Sequence, residues 1–111
     1  MRGRLVAALL SAGVFAAAAF AEAAFGEDGH TIVQSGRAFH PGEVTLNHGE
    51  TLVFSNRDEF IHQIYIKSDA ITYDSDEQPP GQDVKLAFPT AGTFEVRCHI
   101  HPKMALTVHV K

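Results

Sequence analysis

Four side chains in the C-terminal half of this 111-residue chain carry donor atoms suited to a metal: His62, Cys98, His101 and Met104. Three of them fall within the stretch Cys98-His99-Ile100-His101-Pro102-Lys103-Met104, and His62 stands well upstream. A thiolate, two imidazoles and a thioether suit copper better than any other common metal, in a trigonal His₂Cys arrangement with a long axial Met. Zinc gains little from a thioether, and its structural sites usually carry more thiolates. Iron–sulfur clusters need more sulfur than one cysteine supplies. If all four positions are filled by protein, no place is left for a substrate or water, which a catalytic metal requires. The chemistry expected of such a set is transfer of a single electron, and the chain is not expected to be an enzyme.

These donors need a frame that brings them together. The chain from Thr31 onward alternates apolar and polar residues in short runs broken by turn residues: Thr31–Gln34, Glu43–Leu46, Thr51–Asn56, His62–Ile66, Asp83–Phe88, Thr93–Cys98 and Met104–Val110. Seven such runs edged by Gly, Pro, Asn or Asp predict an all-β sandwich or barrel. Phe39-His40-Pro41-Gly42 and Asn47-His48-Gly49-Glu50 read as turns. Residues 68–82, rich in Asp, Glu and Pro, read as a long surface loop with a short edge strand around Ile71–Tyr73. Neighbours at i and i+2 share a strand face. Cys98 therefore lies with Phe94 and Val96, Met104 with Leu106 and Val108, and His62 with Ile64 and Ile66, each at a strand end on the inward side. The five residues between Cys98 and Met104 make a tight connection between antiparallel strands, which forces Cys98, His101 and Met104 into one small volume.

The N-terminus predicts the compartment. Arg2 and Arg4 precede an apolar run, Leu5–Phe20, that closes on Ala19-Phe20-Ala21, the order of a cleavable secretory signal. The run is short for a membrane anchor, which needs about 20 apolar residues, and the arginines are not adjacent as a twin-arginine signal requires. The expected division is a signal peptide over 1–21 and one domain over 22–111, exported to the periplasm and not inserted in the membrane after cleavage. Cys98 is the only cysteine; a lone thiol in an oxidising compartment calls for an occupant, and metal ligation supplies one. Beyond residue 21 seven Lys or Arg stand against thirteen Asp or Glu, a formal charge of −6. That excludes a basic nucleic-acid surface and is compatible with steering toward a basic partner.

Ala91-Gly92-Thr93-Phe94-Glu95-Val96-Arg97-Cys98 and the following Cys-x-x-His-Pro-x-Met loop closely resemble the copper loop of the cupredoxins. The loop is most similar to that of the short-loop amicyanins, with plastocyanin and pseudoazurin as longer-loop relatives. The segment from Ser55-Asn56 through His62-Gln63-Ile64 is similar to the first-histidine segment of the same proteins. The resemblance implies an eight-stranded Greek-key β-sandwich, the type 1 copper of the blue copper proteins at one end, His62 and His101 bound through imidazole nitrogen, Cys98 as thiolate and Met104 as weak axial ligand. It also implies that the ring edge of His101 reaches the surface as the electron port, with Ile100, Pro102 and Ile61 as its apolar surround and Lys103 beside them. Two positions depart from the family pattern. Gln63 follows the first histidine where Asn is common, and His99 follows the cysteine where a small or hydroxylated residue is common. Both positions ordinarily pin the ligand loop by hydrogen bonds.

His99 faces away from Cys98 by alternation, and His30, His40, His48 and His109 fall in turns or on outward faces, so all five are expected to be solvated or supporting. A Cys-His pair also occurs in multicopper oxidases, but their trinuclear cluster needs more histidines and more domains than 90 residues hold. The function expected is a monomeric periplasmic electron carrier working between protein partners such as a dehydrogenase, a cytochrome c or an oxidase. The alternative is a copper-binding module for storage, resistance or delivery.

Overall fold

A computed structural model describes residues 30–111; the export signal expected over 1–21 and the start of the domain at 22 lie outside the described residues. Nine strands form the described chain: β1 (His30–Gln34), β2 (Phe39–His40), β3 (Glu43–Leu46), β4 (Thr51–Asn56), β5 (Ile64–Lys67), β6 (Thr72–Asp74), β7 (Asp83–Ala87), β8 (Gly92–Cys98) and β9 (Ala105–Val110). They make two sheets, β2-β1-β4-β7 and β3-β9-β8-β5-β6. The pairs β1/β4 and β3/β9 are parallel and the rest antiparallel. The fold is the expected all-β sandwich.

Period-two alternation builds the core between the sheets. Ile32, Leu52, Phe54 and Leu86 come from the first sheet, and Ile64, Ile66, Phe94, Val96, Leu106 and Val108 from the second, all buried. Phe39 meets Phe54 edge-on with centroids 6.1 Å apart, and Phe88 tilts against Phe94 at 6.0 Å. Each such large side chain contributes about 1.5–3 kcal/mol by leaving water. Cys98 ends β8 on this inward face, and Met104 sits one residue before β9, 2% exposed.

Three local expectations are corrected. Phe39-His40 is not a turn but the short strand β2, which pairs Val33↔His40 and Gln34↔Phe39. The turn lies before it, at Ser35–Ala38, where the Ser35 N–H donates to the Ala38 carbonyl at 3.1 Å. Gly36 and Arg37 both have positive φ, 64° and 58°, the requirement of a two-residue type I′ hairpin. His62 does not belong to a continuous strand: β5 begins at Ile64, and His62 forms an isolated antiparallel bridge with Gln78. Within residues 68–82 the expected short edge strand is present as β6, Thr72–Asp74, but the segment is not solvated throughout, because Gln78 is fully buried.

Candidate metal centre

Cys98 and the histidines meet at one end of the sandwich. The Nδ1 atoms of His62 and His101 lie 3.2 Å apart, and His62 Nδ1 lies 3.7 Å from Cys98 Sγ. All three candidate donor atoms fall within 4.8 Å of one another. His62 and Cys98 are buried, and His101 is partly exposed. The third expected contributor in the loop, Met104, is buried beside them in sequence, its N–H donating to the His101 carbonyl at 2.9 Å and so closing the loop on itself. His62, Cys98 and His101 thus converge from the His62–Gln78 bridge, the β8 end and the β8–β9 loop.

His62 is aimed by Asp58. The carboxylate accepts from His62 Nε2 at 2.7 Å, from the Gly36 N–H at 2.6 Å and from the Arg37 N–H at 3.0 Å. Burial opposes its charge, but the bonds from Arg37, His62 and Gly36 outweigh burial and hold the carboxyl below its ordinary value. A carboxylate can only accept here, so Nε2 carries the hydrogen and Nδ1 offers its lone pair inward. His101 is held below the usual histidine range by burial and then by the charges of His62 and Arg37, which favours the neutral imidazole that a metal needs. Two imidazole nitrogens face each other at 3.2 Å beside a thiol. Facing lone pairs repel unless one cation, a proton or a metal, lies between them. Donors that share an ion at about 2.0–2.3 Å stand roughly 3.2–3.8 Å apart, so the separations of 3.2 and 3.7 Å about His62 Nδ1 fit one ion.

The thiol has a donor of its own: the Gln63 N–H points to Cys98 Sγ at 3.3 Å. Behind His62 a buried polar network fixes the backbone. His62 and Gln78 exchange N–H···O bonds of 3.1 and 2.7 Å. The Gln78 side chain accepts from Gln34 and donates to the Phe54 and Gln82 carbonyls. Asn56 donates to the Phe60 and Gln78 carbonyls.

The surface over the site is apolar. Phe60, Ile61 and Ile100 are the large hydrophobic residues exposed among the described residues, at 41%, 40% and 43%. Phe60 packs edge-on to His101 with ring centroids 5.9 Å apart, and the Arg37 guanidinium carbon lies over the Phe60 ring, 4.2 Å from its centroid. Arg37, Ile100, His101, Pro102 and Lys103 line a shallow depression there. Of the surround expected for His101, Ile100 and Pro102 line this depression and Ile61 is exposed; Phe60, Arg37, Asp58, Asp74 and Gln78 are additions that the sequence reading does not give. Of these, only Asp58 carried a signal, a carboxylate four residues before the histidine, and outside a helix that spacing fixes no orientation. The other histidines lie at or near the surface: His30 contacts Glu50 at 3.7 Å, His109 contacts Glu43 at 2.6 Å, and His40 and His48 bond backbone carbonyls.

The copper binding proteins of the plastocyanin/azurin family match residues 28–111, and the chain belongs to that family. No curated protein matches it. A methionine-to-alanine mutant of amicyanin with Cu(I) superposes with a TM-score of 0.70 at 20% identity, covering 75% of this chain and 82% of that one. A reduced tryptophan-to-tyrosine amicyanin mutant gives 0.71 at 20% identity, covering 77% and 84%. A Cu-containing nitrite reductase from Thermus scotoductus gives 0.69 at 21% identity, covering 75% of this chain but 22% of that one. The family and the thiolate–imidazole donor set together define the cofactor as copper.

Proposed function

We propose that this protein is a periplasmic carrier of single electrons, with one type 1 copper held by His62, Cys98, His101 and Met104. The observation that carries the reading is the convergence of His62 Nδ1, Cys98 Sγ and His101 Nδ1, with His101 alone reaching the surface, inside an apolar patch. Copper, when bound, supplies a one-electron Cu(I)/Cu(II) couple. The chain's own residues do the rest. Asp58 fixes the tautomer and direction of His62, the Gln63 N–H donates to the thiolate, the buried Gln78 and Asn56 network fixes the His62 segment, and the bond from the His99 N–H to the Gln63 carbonyl ties that segment to the end of β8. A frame held this tightly resists rearrangement when the charge changes, which keeps electron exchange fast. With four protein donors and no open position, the site is a relay and not a centre for chemistry on a substrate.

Docking would use the face around His101, where Phe60 and Ile100 are exposed, because exposed apolar surface marks a contact site, and the partner would be a redox protein such as a dehydrogenase, a cytochrome c or an oxidase. Residues 1–21 would export the chain, which then works as a monomer. Copper-loaded protein should show an intense thiolate-to-copper visible absorption and a reversible one-electron wave in voltammetry. A holoprotein that is colourless when oxidised, or that hands its metal to an apo-acceptor without exchanging electrons, overturns the reading.

A further inference from the structure

The two positions that depart from the family pattern, Gln63 and His99, do not touch each other through their side chains; both reach Asp74 on β6. Gln63 Nε2 donates to Asp74 Oδ1 at 2.8 Å, and His99 Nε2 donates to Asp74 Oδ2 at 3.1 Å. The Asp76 N–H adds a bond to Oδ1 at 2.8 Å, which fixes the carboxylate on its strand end. His99 is also stacked on Tyr65, with centroids 3.8 Å apart and planes within 8°. The backbones of the same two residues are joined, the His99 N–H donating to the Gln63 carbonyl at 2.9 Å. Gln63 is in turn the residue whose N–H meets Cys98 Sγ.

We infer that Asp74 is a positioning residue for the metal centre: its carboxylate clasps Gln63 and His99, the neighbours of His62 and Cys98, and so holds the Gln63 N–H on the Cys98 sulfur. The inference rests on the copper reading for its consequence but on the chain's own contacts for its content. A side chain on an exposed edge strand thereby reaches the thiolate through two residues. The clasp joins the two flanking positions through a third side chain, and the Gln63 side chain, one methylene longer than asparagine, spans the distance to Asp74.

Asp74 is exposed, so substitutions there leave the core intact. Asp74→Ala removes both acceptors. Asp74→Asn keeps an oxygen for Gln63 and Asp76 and presents an amide to His99, which a neutral imidazole meets by changing tautomer. The expected result is that Asp74→Ala still takes up one copper, shifts the thiolate-to-copper band and loses copper to a chelator about tenfold faster, while Asp74→Asn stays close to the parent in both. In the copper-free protein, hydrogen exchange at the Gln63 and His99 amides should quicken in Asp74→Ala and not in Asp74→Asn. Amide exchange that is the same in all three proteins, or an Asn variant that behaves as the Ala variant does, overturns the clasp. A parent protein that fails to turn blue counts against the copper reading alone, since the amide measurement decides the clasp without metal.

Discussion

In the proposed centre Cys98 and Met104 have different electronic duties, and substitution separates them. The thiolate donates strongly to Cu(II) and produces the charge-transfer absorption, so Cys98→Ser should abolish the intense colour; an oxidised serine variant that stays blue would contradict the assignment. The thioether donates weakly along the axis. Met104, one residue before β9, is 2% exposed, and Met104→Leu is nearly volume-conserving, so it should cost under about 1.5 kcal/mol of stability. It should keep the copper and raise the potential, because the lost donor favoured Cu(II); voltammetry showing no change would remove Met104 from the ligand set. Asp58 acts one bond further out. Replacing it with Ala frees the His62 ring and leaves the Gly36 and Arg37 amides without their acceptor. Copper affinity measured by competition should fall about 10–100-fold, with Asp58→Asn restoring much of it through its remaining oxygen.

Strands and loops contribute unequally to what could be read beforehand. β4, β8 and β9 alternate cleanly, and their inward residues Leu52, Phe54, Phe94, Val96, Leu106 and Val108 are buried as alternation requires; this placed Cys98 and Met104 without further information. Periodicity is silent where an element is two residues long, as in β2, or where a single residue bridges, as in His62↔Gln78. Gln78 shows why. It stands among Asp, Glu and Pro, a composition that reads as solvent-facing, yet its side chain is fully buried because Gln34, 44 positions away, and the Phe54 and Gln82 carbonyls need partners there. Pairing across that sequence distance leaves no local pattern. Gln78→Ala would leave those buried groups unpaired and open a small void. It should therefore destabilise the fold by about 2–4 kcal/mol, read as a lower denaturant midpoint with an unchanged slope. A midpoint within error of the parent's would show that water replaces the network at no cost.

At the scale of the whole molecule a net negative charge accompanies a contact surface of exposed apolar residues with Arg37 and Lys103 beside them. Beyond residue 21 the chain is formally −6, while the exposed apolar residues Phe60 and Ile100 lie beside His101. Two copies that exchange an electron would meet through that face, where His101 is the one candidate ligand partly open to solvent. Their like net charges oppose the encounter at long range, and added salt screens that opposition over about 10 Å at 0.1 M. Self-exchange between oxidised and reduced protein, followed by NMR line broadening, should therefore quicken with ionic strength. Ile100→Glu places two like charges face to face in the encounter and breaks the apolar contact. It should slow self-exchange at least tenfold, a loss of about 1.4 kcal/mol in encounter stability, with the visible spectrum and copper content unchanged because Ile100 points outward at 43% exposure. If the exchange rate of Ile100→Glu equals the parent's at low salt, electrons leave the protein by another face.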